Sequence, residues 1–220
     1  MTLAIFDLDH TLINGDSDYL WGEYMVKHGI VDEQAYRARN EAFYRDYQRG
    51  TLDNDVYLAF ALEPLTRYSL DELYAWRADY VDNWIRPLVA PGAADLLESH
   101  RQQGHELMII SATNLFVSEP IGAMLGVETV LATEPEIVDG RYSGRFLGTP
   151  TYQQGKVVAL SEWLDRHGGT LAENYFYSDS LNDLALLEAV DHPVAVSPDD
   201  DLGAIARARG WKIIDLGNAG

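Results

Sequence analysis

The chain has 220 residues, and its 16 lysines and arginines against 35 aspartates and glutamates give a formal net charge of −19. A surface that acidic repels nucleic-acid phosphates and anionic membranes, and a composition 47% hydrophobic and 23% charged is globular rather than disordered. Cysteine is absent, which excludes disulfides, thiolate metal sites and cysteine nucleophiles.

The N-terminal stretch lacks a basic flank and no later apolar run approaches the ~20 residues of a membrane span. A cytoplasmic protein is therefore expected, with neither nucleic acid nor membrane as partner. Nothing in the pattern specifies an oligomeric state. The first apolar stretch, Leu3 to Phe6, is strand-like and ends at once in Asp7 and Asp9. From Asp16 to Ile85 the pattern changes to Tyr, Trp, Ala, Glu and Arg at helical spacing, broken by Gly29, Gly50 and Pro64. It predicts four helices, over 17–28, 32–49, 53–63 and 69–84. Ser69 with Glu72 three residues on is a capping-box pattern for the last.

After Pro87 and Pro91 strands and helices alternate: helix 92–103, strand 106–110, helix 115–125 and strand 127–132. Asp139-Gly140 between strand-like arms predicts a hairpin. Helix 153–167, strand 174–177, helix 181–189, strand 193–196, helix 200–209 and strand 211–214 complete the series. This alternation predicts an α/β fold, a doubly wound, mostly parallel Rossmann-like sheet. Residues 1–14 and 86–220 would form the catalytic core. Residues 15–85 would form a helical cap, inserted after the first strand and above the strands' carboxyl ends, where such sheets bind ligands.

Three polar clusters interrupt the pattern, each just after an apolar strand. In Asp7-Leu8-Asp9 the two carboxylates lie two residues apart and can face one small volume, where a hard divalent cation relieves their repulsion. One Asp capping a helix beside a solvated partner explains an isolated pair equally well. Ser111-Ala112-Thr113 offers a hydroxyl and free N–H groups to a phosphate, or an ordinary N-cap to the next helix. In Ser178-Asp179-Ser180-Leu181-Asn182-Asp183, an N-cap at Ser180 accounts for Asp183 but leaves Asp179 and Asn182 unexplained. Lys156 opens a predicted helix, where a cation opposes the helix dipole; a local anionic partner is expected.

In this order the clusters resemble the motifs of the haloacid dehalogenase-like superfamily of phosphohydrolases, over the whole chain. The phosphoserine-phosphatase-like branch, with its cap after the first strand, fits best. Phe6-Asp7-Leu8-Asp9-His10-Thr11-Leu12 resembles the first motif, Ser111 the second, Lys156 the third and Asp179-Ser180-Leu181-Asn182-Asp183 the fourth. The resemblance implies a Mg²⁺-dependent phosphatase that hydrolyses a small phosphorylated metabolite through a phosphorylated Asp7. It implies that Asp9 acts as acid and then base, and that Mg²⁺ is held by Asp7, the Asp9 carbonyl and Asp179. Asp183 would support the metal or hold Lys156, while Ser111, Lys156 and Asn182 would contact substrate. A phosphotransferase would share all these residues, and a degenerate metal- or metabolite-binding protein would keep them without turnover.

Departures from that branch bear on the substrate. It usually carries Ser-Gly-Gly where Ser111-Ala112-Thr113 stands, and a cap glutamate where Asp16 stands. Counted from Gly50-Thr51-Leu52, its carboxylate-binding arginine falls at Ala59, with Arg49 and Arg67 as possible substitutes. Phosphoserine is therefore expected to be a poor substrate. Asp16 and other cap acids would favour an amine-bearing phosphate, histidinol phosphate being the specific expectation. His10 is expected to position its loop, the five Trp and thirteen Tyr to be mostly core, and Asp199-Asp200-Asp201 to be a solvated helix start.

Overall fold

Strand β1 (Leu3–Phe6) is buried along its whole length, and its alternate side chains enter two different apolar clusters. Ala4 and Phe6 join one, and Leu3 and Ile5 the other. A strand apolar on both faces belongs at the centre of a parallel sheet, and that is its place in the computed structural model, which describes residues 2–171 and 173–217. β2 (Glu106–Ile110), β3 (Thr129–Leu131), β6 (Tyr175–Ser178), β7 (His192–Val196) and β8 (Lys212–Ile214) complete a six-stranded sheet. Its order is β3-β2-β1-β6-β7-β8, and every pairing is parallel. The chain leaves β1 toward β2 and β3, then returns to β6 on β1's other side. The doubly wound order places the topological switch between β1 and β6.

Helices cover both faces. Leu97 of α5 (Ala93–Gln102) with Val117 and Ile121 of α6 (Leu115–Met124) pack in the cluster that holds Phe6. Leu160 of α7 (Gln154–His167), Leu186 of α8 (Leu184–Ala189) and Leu202 of α9 (Asp200–Arg209) pack in the other. Between β1 and α5 run α1 (Ser17–Lys27), α2 (Glu33–Gln48), α3 (Asn54–Leu62) and α4 (Leu70–Tyr80). Asp16, Asp32 and Asp53 cap the first three through backbone N–H groups, and Ser69 with Glu72 closes the predicted capping box on α4. Trp21, Tyr24 and Tyr80 from these helices share the cluster that contains Phe6.

Three boundaries depart from the sequence pattern, each for a local reason. The predicted helix 69–84 is α-helical only to Tyr80; Val81–Ile85 widens into a π turn and Arg86–Leu88, holding Pro87, tightens to 3₁₀. The strand expected at 127–132 shortens to 129–131 because Gly126 turns left-handed at φ 72° and Val127 N–H closes α6 on the Gly122 carbonyl. Residues 181–183 form a 3₁₀ turn before α8 begins. The hairpin β4 (Glu134–Val138) and β5 (Arg141–Leu147) turns through Asp139 and Gly140 at φ 50° and 74°, the signs a type I′ turn requires. It packs on α3 and on the 3₁₀ turn Glu63–Arg67. Among the described residues no helix is long and apolar enough to cross a membrane.

Candidate active site

Because β2, β1 and β6 are adjacent and parallel, the residues just after them meet at one edge of the sheet. Those residues are Ser111, Asp7 and Asp179. Asp7 is 4% exposed, and its N–H is held by the Tyr177 carbonyl at 2.8 Å. Its Oδ1 accepts from Lys156 Nζ at 2.7 Å, and the same ammonium donates to Asp183 Oδ2 at 2.8 Å. Asp183 also accepts from Ser178 Oγ at 2.7 Å, and Lys156 is 1% exposed. The sequence pattern left Asp183 open to an N-cap role; its carboxylate instead holds Lys156, and Ser180 caps through its own hydroxyl. The anionic partners expected for a lysine in the first turn of α7 are therefore Asp7 and Asp183. Burial opposes the Lys156 charge, but Asp183 and Asp7 outweigh it and raise its pKa.

The remaining acids are held from other directions. Asp179 Oδ1 accepts from Thr11 Oγ1 at 2.9 Å. Asp9 Oδ1 accepts from Ser17 N–H at 2.6 Å and its Oδ2 from Thr113 Oγ1 at 2.8 Å. Ser111, fully buried, accepts from Thr113 N–H at 3.1 Å. Burial pushes Asp7 well above the ordinary carboxylate range; Lys156 pulls it down, and Asp183, Asp179 and Asp9 push it up again. Burial likewise raises Asp179, to about 7.

Four carboxylates and one ammonium thus share this corner, an excess of negative charge that a hard divalent cation would neutralise. Among the described residues no three acidic or histidine side chains form a ready cage. Mg²⁺ does not need one, since it keeps several waters and takes only one or two carboxylates. Asp7, Asp179 and the Asp9 main-chain carbonyl would supply oxygen donors of the right hardness.

Asp16 and Asn182 stand one step outward. Asp16 caps α1, accepting from Asp18 and Tyr19 N–H. Asn182 lies against helix α2: its Nδ2 donates to the Tyr47 carbonyl at 3.0 Å, and its Oδ1 accepts from Gln153 and Tyr152. His10 adopts φ 53° and pairs with the Tyr44 hydroxyl at 3.4 Å. Asp199 is exposed at a helix start, as expected; it caps α9 and also holds Leu181 N–H, in the segment that carries Asn182 and Asp183.

Beside Asp9 opens a pocket with about 480 Å³ of empty space, part of it open to solvent. Asp9, Asp16 and Asp18 line it with tyrosines 19, 44, 47, 57 and 152, and among the described residues no lysine or arginine does. Burial raises Asp18 to about 7, with the Tyr57 hydroxyl pulling down and Asp9 pushing up. Burial and Asp9 also hold Asp16 well above its ordinary range, against the N–H bonds from Tyr19 and Asp18. Ala59 and Arg67 line a separate groove, where Arg67 is tied to Glu63, and Arg49 does not line the acidic pocket. Sequence reasoning missed Asp18, Thr113 as a partner of Asp9, and the pocket tyrosines. A second acid in the first turn after Asp16, and a hydroxyl where the motif usually carries glycine, were the available signals.

Known proteins resemble this sequence and share this fold. A family model described as haloacid dehalogenase-like hydrolase matches residues 4–188. A histidinol-phosphatase of Neisseria meningitidis is 45% identical over 218 residues, covering 97% of this chain and 98% of that one. A crystal structure from Bordetella pertussis, of a protein with unknown function, superposes with TM-score 0.92 at 44% identity and covers 98% and 100% of the two chains. A substrate-bound phosphoserine phosphatase superposes at TM-score 0.67 over 98% and 92%, and at 17% identity it shares the fold alone.

Proposed function

The chain belongs to the haloacid dehalogenase-like hydrolases, and we propose that it hydrolyses histidinol phosphate, or a small phosphate monoester equally cationic, through a phosphorylated Asp7. One observation carries the choice of substrate: Asp16, Asp18 and five tyrosines line the pocket beside Asp9, and among the described residues no lysine or arginine does. An ammonium or imidazolium gains from those carboxylates and from the π faces of the tyrosines. A substrate carboxylate, as in phosphoserine, would meet like charge and find no cationic partner. The 45% identity to a histidinol-phosphatase over nearly the full length supports the same reading.

The chemistry follows from how each carboxylate is held. Lys156 occupies Asp7 Oδ1, leaving Oδ2 to attack phosphorus in line as the ester oxygen departs. Asp9 gives that oxygen its proton, and the alcohol leaves. Asp9, now a carboxylate, takes a proton from the incoming water as the water's oxygen attacks phosphorus. The bond to Asp7 then breaks, freeing inorganic phosphate. Lys156 and Ser111 face the phosphoryl oxygens. Mg²⁺, held by Asp7, Asp179 and the Asp9 carbonyl, would neutralise charge on the transferring group. The helices of residues 15–85 act as a cap that excludes water from the pocket.

The test is phosphate release from histidinol phosphate, phosphoserine and a panel of neutral esters, with and without Mg²⁺. Histidinol phosphate is expected to lead phosphoserine by at least about 10²-fold in kcat/KM, the cost of an unpaired buried charge of ~3 kcal/mol. Asp7→Asn should be inactive on every ester. Preference for phosphoserine would refute the substrate assignment, and full activity in Asp7→Asn the mechanism.

A further inference from the structure

Thr113 stands where phosphoserine phosphatases usually carry glycine, and its hydroxyl does not cap the helix that follows. It donates to Asp9 Oδ2 at 2.8 Å and lies 3.3 Å from the Ser17 hydroxyl, which donates to it. The Ser17 N–H takes Asp9 Oδ1 at 2.6 Å. Thr113 is 3% exposed, and Ser17 is fully buried, its carbonyl fastened by the Tyr80 hydroxyl at 2.7 Å.

Each carboxylate oxygen carries two lone pairs. Thr113 and Ser17 use one on each oxygen and leave the others free to carry the proton that passes to the ester oxygen. Two donors on two different oxygens fix both the position and the plane of the carboxyl group. One donor comes from the loop after β2 and the other from the first turn of α1.

We propose that Thr113 is a positioning residue for the acid–base Asp9, working with the Ser17 N–H so that Asp9 is aligned only while α1 is seated on the sheet. This rests on the phosphatase reading given above. The hydroxyl is suited to the task because it serves both forms of Asp9. It keeps donating to Oδ2 in the carboxylate and in the acid, because the proton that Asp9 gives and takes sits on a lone pair that neither Thr113 nor Ser17 uses. Proton exchange on Asp9 then needs no heavy-atom movement. A glycine here would leave Oδ2 with no partner of this kind.

The test exploits the leaving group. An alkyl ester needs a proton delivered to its departing oxygen, whereas p-nitrophenyl phosphate, whose phenolate leaves unaided, does not. Thr113→Val is expected to lower kcat/KM, which reports only the phosphorylation of Asp7, by about 10–10² for the alkyl ester, out of the 10²–10⁴ that acid–base catalysis supplies. It should lower kcat/KM for p-nitrophenyl phosphate by less than about 3-fold, while kcat falls alike for both esters where hydrolysis of the shared aspartyl-phosphate, which also uses Asp9, limits turnover. Thr113→Ser, which restores the hydroxyl, should recover most of the alkyl-ester rate. Should Thr113→Val fail to fold, Thr113→Ala removes the same hydroxyl without crowding, and the two-ester comparison is made there. Equal losses in kcat/KM on both esters, no loss on either, or no recovery in Thr113→Ser would overturn the proposal. A wild-type protein that hydrolyses neither ester would instead overturn the phosphatase reading beneath it.

Discussion

Lys156 and Asp7, separated by 149 residues in the chain, are joined at 2.7 Å in a corner where both are almost wholly buried. The ammonium is also the only cation bonded to Asp183 among the described residues. Removing it would leave two buried carboxylates facing each other, an uncompensated arrangement that costs about 3–5 kcal/mol. Lys156→Met is therefore expected to lose that much stability in urea denaturation, together with about 10²–10³ in kcat. Pairing it with Asp183→Asn should restore part of the stability and none of the activity. A single mutant as stable as the wild type would show that Lys156 is not the charge balance of this corner.

Metal removal should act on the same imbalance. Burial raises the Asp7 pKa most, and Asp183, Asp179 and Asp9 raise it further against the pull of Lys156. Adding Mg²⁺ at about a hundred times its Kd is expected to stabilise the fold by ~2.7 kcal/mol. Chelation should reverse that gain and abolish hydrolysis. Asp179→Asn should weaken both responses. Calorimetry with and without Mg²⁺ checks the first expectation, and a melting temperature indifferent to Mg²⁺ would count against a cation site here.

Asp18 sets a pH dependence with opposite signs for binding and stability. Its pKa is raised to about 7, by burial first, so it is neutral in acid and becomes charged as pH rises through 7. Affinity for a cationic ester should strengthen over that interval, KM falling by ~10-fold for one added charge contact. Folding runs the other way. An unfolded Asp ionises near 3.9, so between about pH 4 and 7 the folded chain holds a proton that the unfolded chain has lost. Stability therefore declines as pH rises through that window. Asp18→Asn should flatten both trends, measured by KM profiles and by denaturation at pH 5 and 8.

Gly155 immediately precedes Lys156 and has no room for a side chain. A Cβ there would lie 1.9 Å from the Pro150 carbonyl oxygen, and backbone cannot yield as a flexible side chain does. Gly155→Ala would ordinarily favour a helix by up to ~1 kcal/mol. Here it is expected to destabilise by about 2 kcal/mol or more, as overpacking against main chain does, and to reduce kcat by shifting Lys156. Unchanged kcat and stability would show that the 150–155 turn relaxes without disturbing the lysine.

Much of the fold was legible because its signals are local. Both-face apolar runs such as Leu3–Phe6 mark central strands, Ser69 with Glu72 marks a helix start, and Asp139-Gly140 specifies a left-handed turn. The order of the acid-bearing motifs along those elements pointed to the family and to the principal carboxylates. Where local bonding competed, boundaries moved, as when Val127 N–H closed α6 and delayed β3.

Tertiary structure decided which donor meets which oxygen. Asp183 could have capped its own turn, and instead it took Lys156 from 27 residues away. Thr113 reached Asp9 across 104 residues, and Asn182 reached the Tyr47 carbonyl across 135. Asp18 became a pocket acid, and Ala59 was carried to a different groove. Hydrogen bonds are directional and short-ranged, so partners distant in sequence become fixed only when the sheet order brings their strand ends together. Residue type and spacing determine what chemistry a segment can offer. The packed arrangement alone determines which of those offers are taken.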